Sequence, residues 1–342
     1  MSILCISLCL LLHVTLGKQT GGEGFTLNTL ETALNATKIR KGQSVRWDRY
    51  RSLPLAEIHT KMKDLAAKYP KIVTVFTSQE KYGLPSSCHD WEWHEGCLNY
   101  VLVIEDKKIY SDKTTSGKKA IKERPDVLLL GTLHGDERVG PTAVMEASTL
   151  LVEAASCMST IDTCKTSALV QTYGMDQVAW LARLASTRRI IVVPAANANG
   201  YEKNQRQENG VDPNRDFSFD QSANQCMQTI AARTINEIFL DHLIQSKFIR
   251  NFHEIVRILY QLRCAILTII VAVTYHGGIE LISYGWGIDL GGYKISPDDT
   301  AQRILGNGLS KFAGELYGNG VGDQRFYRSG DILTLLYHVR GG

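Results

Sequence analysis

The chain has 342 residues, of which 44% are hydrophobic and 21% charged, and its formal net charge is +3. These fractions are those of a soluble globular protein and exclude general disorder. The net charge is too small and too scattered for a nucleic-acid footprint, so no nucleic-acid partner is expected.

In chain order, residues 1–17 (MSILCISLCLLLHVTLG) form an uncharged apolar run ending in small residues. The run is shorter than the about 20 residues a bilayer span needs, and it reads as a cleaved secretory signal. Residues 18–45 are polar and Gly/Thr-rich, a flexible lead-in, and Asn35-Ala36-Thr37 makes Asn35 a glycosylation candidate on the secretory route. Ordered structure is expected from residue 46. Residues 54–69 carry Leu55, Ile58, Met62, Leu65 and Ala66 at helical spacing, closed by Pro70.

Residues 72–77 and 98–105 read as strands, and Cys88 and Cys97 bracket the polar loop between them. Cys157 and Cys164 bracket a second such loop. Both pairs are disulfide candidates for an oxidising compartment. Cys88, His89, His94 and Cys97 also have the atoms for a metal site, but a compact hairpin in a secreted chain favours the disulfide. Cys226 and Cys264 have no obvious mates.

Residues 126–130 (DVLLL) are a short apolar run of the kind found inside a sheet covered on both faces. The run breaks at Gly131, the polar loop HGDERVG follows, and a helix opens at Pro141. A helical stretch at 178–185, a buried strand at 189–193, a helix at 231–245 and a strand at 268–274 complete the pattern. Strands alternating with helices predict one α/β domain, residues 46–342, with helices on both faces of its sheet. Residues 248–270 run from helix into strand without turn residues. As a membrane span they would bury Arg257 and Arg263 at about 2.5–3.5 kcal/mol each, so the stretch is read as an insertion and no stable span is expected.

A His-x-x-acid pair arises about once by chance in a chain with nine His and 35 acidic residues. Context raises the weight of His134-Gly135-Asp136-Glu137, which follows the C-terminal end of a buried strand, where open α/β sheets place ligands. His276 also ends an apolar strand. Two imidazoles and one carboxylate make a catalytic zinc set with a fourth position left for water.

Three segments, in order, resemble the zinc metallocarboxypeptidases of the carboxypeptidase A/B/E superfamily: GTLHGDERVGP, PAANANGYEKNQRQENGVDPNRDF and TYHGG. The resemblance implies a mixed, twisted eight-stranded sheet between helices, and attack by zinc-activated water on the last peptide bond of a peptide or protein C-terminus. It implies one zinc held by His134, Glu137 and His276. It also implies that Asn214 and Arg215 clamp the terminal carboxylate, that Arg206 stabilises the oxyanion, and that Tyr327 is the mobile tyrosine that closes over substrate. The family's general-base glutamate lies downstream of that tyrosine, and here no glutamate follows Glu315. Loss of a positioned base typically costs about 10²–10⁴-fold. The chain is accordingly expected to lack the last strand and helix. Two further readings stand beside a peptidase: an inactive secreted relative that binds zinc and peptide ends, and a zinc amidohydrolase of the related deacylase branch, against which the DPNRDF segment speaks.

Overall fold

A computed structural model describes residues 51–88, 97–108, 126–217, 226–245, 272–276, 283–284 and 330–331. Helix α1 (Leu55–Lys68) buries Leu55, Ile58, Met62 and Leu65, a 3–4 spacing that lines one face. Strand β1 (Val73–Thr77) runs directly into the short helix α2 (Ser78–Tyr82), which starts on a capping box between Thr77 and Glu80 and stops at a left-handed Gly83. Strands β2 (Tyr100–Ile104) and β3 (Asp126–Leu130) precede the long helix α3 (Val139–Met158). Helix α3 opens two residues before Pro141, because first-turn N–H groups have no partner within the helix and proline loses nothing there.

Helices α4 (Ile161–Lys165), α5 (Ala168–Tyr173) and α6 (Met175–Thr187) return the chain to strand β4 (Arg189–Val193). Helix α7 (Ala198–Lys203), a single 3-10 turn (Pro213–Arg215) and helix α8 (Ile230–Gln245) follow. Strand β5 (Ala272–Thr274) completes a sheet ordered β1-β2-β4-β3-β5. The β1/β2 and β2/β4 pairs are antiparallel, and β4/β3 and β3/β5 are parallel, so the sheet is mixed, as expected. It has five strands among the described residues rather than eight. Strands β6 (Ser283–Tyr284) and β7 (Gly330–Asp331) pair separately.

Successive strand residues point to opposite faces. Leu102, Ile104, Val127, Leu129, Ile190 and Val192 pack with Ile58, Met62, Val144, Leu151 and Leu181 of α1, α3 and α6. Val101, Val103, Leu128, Leu130, Ile191 and Val193 pack with Ala231, Ile235 and Ile238 of α8. Helices cover both faces, which is why β2, β3 and β4 are apolar at nearly every position.

Cys88 is bonded to Cys97 and Cys157 to Cys164, so the thiolates a Cys/His metal site would need are consumed. Cys226, which has no evident mate in the sequence, is buried and disulfide-bonded. No helix among the described residues is long and apolar enough to cross a membrane. The signal and lead-in (1–45), Asn35, the 248–270 stretch and Tyr327 lie outside the described residues.

Candidate metal centre

Strands β4, β3 and β5 are parallel neighbours, so the segments that follow them emerge at one edge of the sheet. After β3 the chain makes a tight turn in which the Glu137 N–H donates to the His134 carbonyl at 3.1 Å, closing residues i and i+3. The Thr132 hydroxyl donates to the same carbonyl. Gly135 is required by close approach: a Cβ there would lie 2.0 Å from the backbone of Gly200 in α7. On the other side, β5 pairs Thr274 with Leu130, the Tyr275 N–H donates to the Leu130 carbonyl at 3.0 Å, and His276 comes next.

His134 Nδ1 lies 2.9 Å from Glu137 Oε1, and His276 Nδ1 lies 2.8 Å from Glu137 Oε2. One donor atom from each of the three residues falls within 4.8 Å of the other two, and the imidazole centroids are 4.9 Å apart. His134 is buried, Glu137 half-buried and His276 exposed. Ligand atoms around a tetrahedral zinc at its usual bond lengths are roughly 3.3 Å apart, so the donors already stand near that spacing.

His134 Nε2 also faces a carboxylate, Asp212 Oδ1, at 3.0 Å. A neutral imidazole carries one N–H, yet both ring nitrogens here meet carboxylate oxygens. Either the ring is cationic or a cation stands between Nδ1 and Glu137, with Nε2–H kept for Asp212. The second arrangement is the carboxylate–histidine–metal relay that orients a ligating ring. The electrostatics agree. Burial by itself would lower the His134 pKa, but the hydrogen bonds and charges of Asp212 and Glu137 outweigh it and raise the pKa above its ordinary value. For Asp212 burial acts upward, and His134, the Asn214 N–H and Arg206 together hold the carboxyl well below the usual carboxylate range. The site is built for positive charge, and its donor set of two nitrogens and a carboxylate fits zinc.

Arg206 enters over the same acids. Its Nε and Nη2 lie 3.1 and 3.0 Å from Asp212 Oδ2, and Nη1 lies 3.4 Å from Glu137 Oε1. A two-residue turn brings Arg206 back to Asp212: Glu208 and Val211 exchange N–H···O bonds of 2.9 and 3.0 Å around Asn209 (φ 50°) and Gly210 (φ 86°). Asn-Gly is the strongest short hairpin signal because both positions must take positive φ, and it would have located this turn from sequence. The Asn214 N–H donates to Asp212 Oδ1 at 2.9 Å, and Arg215 Nη1 donates to the Asn214 carbonyl at 2.9 Å. The structure therefore brings together His134, Glu137, His276 and Arg206. Asn214 is joined to them through Asp212, and Arg215 sits beside it on the 3-10 turn.

Asp212 and the asparagines of NANGY are residues that the sequence reading left without a role. Asn197 Nδ2 donates to the carbonyls of Leu133 and Arg206, both at 3.1 Å, and its Oδ1 accepts the Gly200 N–H at 2.8 Å, capping α7. Asn199 and Asn209 both donate to the Ser87 carbonyl, at 2.6 and 3.1 Å. The Tyr201 hydroxyl donates to the Leu53 carbonyl at 2.6 Å. The segment is a lattice that ties the metal turn to the arginine hairpin.

The sequence profile described as zinc carboxypeptidase matches residues 58–342, and the chain belongs to that family, whose members use zinc. Among solved structures it is similar to the carboxypeptidase A from Helicoverpa armigera, at 16% identity and a TM-score of 0.47, over 95% of this chain and 69% of that one. It is also similar to bovine thrombin-activatable fibrinolysis inhibitor, solved in complex with tick carboxypeptidase inhibitor, at 12% identity and a TM-score of 0.46, over 85% of this chain and 80% of that one. A further structure of thrombin activatable fibrinolysis inhibitor gives 12% identity and a TM-score of 0.47, over 92% of this chain and 68% of that one. Among curated proteins no relative matches.

Proposed function

We propose that this chain is a secreted zinc-dependent carboxypeptidase that removes C-terminal residues from peptides, with one zinc held by His134, Glu137 and His276. The observation that carries the reading is the convergence of two imidazole Nδ1 atoms on one carboxylate, with His134 backed by Asp212. Zinc in such a site lowers the pKa of bound water to about 7 and polarises a carbonyl. The chain's own groups do the rest. Arg206, steadied by Asp212, donates to the oxyanion as the scissile carbonyl becomes tetrahedral, work worth about 3–4 kcal/mol in comparable sites. Arg215 meets the terminal carboxylate of the peptide with a planar fork, and Asn214 supplies a further donor. Tyr327 closes over the bound end.

In this reading residues 1–17 are the signal, 18–45 a lead-in glycosylated at Asn35, and 46–342 the catalytic domain with 248–270 inserted. The Cys88–Cys97 and Cys157–Cys164 bridges and the disulfide-bonded Cys226 support an oxidising compartment. A second reading, a relative that binds zinc and peptide ends without turnover, would use the same three residues and the same clamp at Asn214 and Arg215.

The test is to measure zinc stoichiometry and amino-acid release from a peptide with a free C-terminus and from its C-terminal amide. One zinc per chain and release from the free acid alone support the peptidase. One zinc and selective binding without release support the second reading. A protein that takes up no zinc and ignores the free C-terminus overturns both.

A further inference from the structure

The start of α8 is held in a way that helix capping does not explain. Thr229 already acts as the local cap, its Oγ1 accepting the Ala232 N–H at 3.1 Å. The N–H groups of Thr229, Ile230 and Ala231, which the helix cannot satisfy internally, and that of Gln228 just before it are taken by two distant carboxylates. Asp216 accepts from Gln228 at 2.9 Å and from Thr229 at 2.7 Å, and also takes the Thr229 hydroxyl at 2.7 Å. Glu208 accepts from Ile230 at 2.5 Å and from Ala231 at 3.1 Å. Asp216 is 0% and Glu208 2% exposed, so both acids are committed to this contact.

The positions of the two acids in the chain give the contact its meaning. Glu208 lies two residues beyond Arg206, and Asp216 lies immediately after Arg215. Between them run the Asn209-Gly210 turn, Asp212 and the 3-10 turn with Asn214. Both flanks of the segment carrying the oxyanion arginine and the carboxylate clamp are therefore fastened to one helix end. That helix is fixed in turn to the sheet, through Ala231, Ile235 and Ile238 packed on Val101, Leu128, Leu130 and Val193. A rigid path runs from the sheet that bears the metal ligands, through α8 and the two carboxylates, to the clamp.

We infer that Glu208 and Asp216 are positioning residues for recognition of the peptide's terminal carboxylate: by fastening the 206–216 segment to the start of α8, they set the place of the clamp relative to the metal ligands. The inference rests on the function proposed above. Neither residue touches substrate, and each acts through Asn214, Arg215 and Arg206.

The experiment uses the full chain loaded with zinc, in the wild type and in Glu208→Gln, Glu208→Ala and Asp216→Asn. For each, zinc stoichiometry, thermal midpoint and the dissociation constants of a peptide with a free C-terminus and of its amide are measured. All three variants are expected to keep one zinc and the wild-type affinity for the amide. Affinity for the free acid should fall tenfold or more in Glu208→Ala and Asp216→Asn. Glu208→Gln, which retains one acceptor, should fall between wild type and Glu208→Ala. Variants that melt earlier yet keep the wild-type preference for free acid over amide would show a merely structural role and overturn the inference. If Glu208→Ala does not fold, Glu208→Gln and Asp216→Asn decide by the same ratio. A wild type that itself fails to distinguish acid from amide removes the clamp reading, and the inference with it.

Discussion

The two ends of the central sheet both gather charge, and they resolve it differently. At the N-terminal ends of β3 and β4, Arg189 Nε donates to Glu105 at 2.7 Å, with Nη1 3.8 Å from Asp126. Sheet register alone makes this contact, since antiparallel β2 and parallel β3 set both acids beside one guanidinium. At the C-terminal ends, side chains from three separated parts of the chain bring imidazole nitrogens and carboxylates face to face, with Arg206 over the two acids. The first contact follows from sheet register, whereas the second needs loops that only the tertiary fold brings together.

The comparison breaks most sharply on the proposed ligands. His134→Ala should lower zinc affinity by more than the about 10–100-fold that loss of an outer partner costs, while Asp212→Ala should fall within that range. Equilibrium dialysis with zinc reads both, and equal losses would deny Asp212 its supporting role. At the opposite end, Arg189→Ala removes the guanidinium paired with the largely buried Glu105 and should cost about 3–5 kcal/mol in urea unfolding, with zinc affinity unchanged. A fall in zinc affinity there would show that the two ends are coupled.

Two buried groups tilt stability with pH in opposite senses. Burial, assisted by Lys63, lowers the His59 pKa from 6.5 to about 4. Its stabilising share is complete above pH 6.5 and is lost as pH falls toward 4, a total of roughly 3 kcal/mol. His59→Phe, which keeps the packing against Tyr100, should flatten that acid limb of the stability curve. Burial chiefly, with Asp216 adding and the α8 N–H groups and Arg233 opposing, raises Glu208 to about 7. Its share is complete below its unfolded value and is lost as pH rises through 7, so Glu208→Gln should flatten the opposite limb. The smallest effect is expected from Cys157→Ser with Cys164→Ser. A bridge between residues only seven apart removes little chain entropy, about 2 kcal/mol, and thermal unfolding should show it.

Much of this architecture is legible in the residues. β3 and β4 match their runs residue for residue, because in each a charged first residue is followed by four apolar ones, as a strand buried on both faces requires. The helical face of α1 follows from Leu55, Ile58, Met62 and Leu65. The candidate set could be proposed because His134 and His276 each close an apolar strand, though the parallel pairing of β3 with β5 that brings them together leaves no local trace. Helices α2, α4, α5 and α7 are one to two turns long, too short for a period to register. Glu208, Asp216 and Asn197 act through bonds to backbone distant in sequence, Asp212 acts through the side chains of His134 and Arg206, and such bonds impose no pattern on their neighbours. Arg206, standing alone in the sequence, reads as an ordinary solvated charge until Glu137 and Asp212 are found beneath it.

The turn between β3 and α3 has no room for a methyl group at Gly135. Any side chain at this position would press on α7 and shift the imidazole and carboxylate on either side of it. An engineer seeking to tune the zinc site proposed above would find Gly135 closed to redesign, and would work on His276 or Asp212 instead.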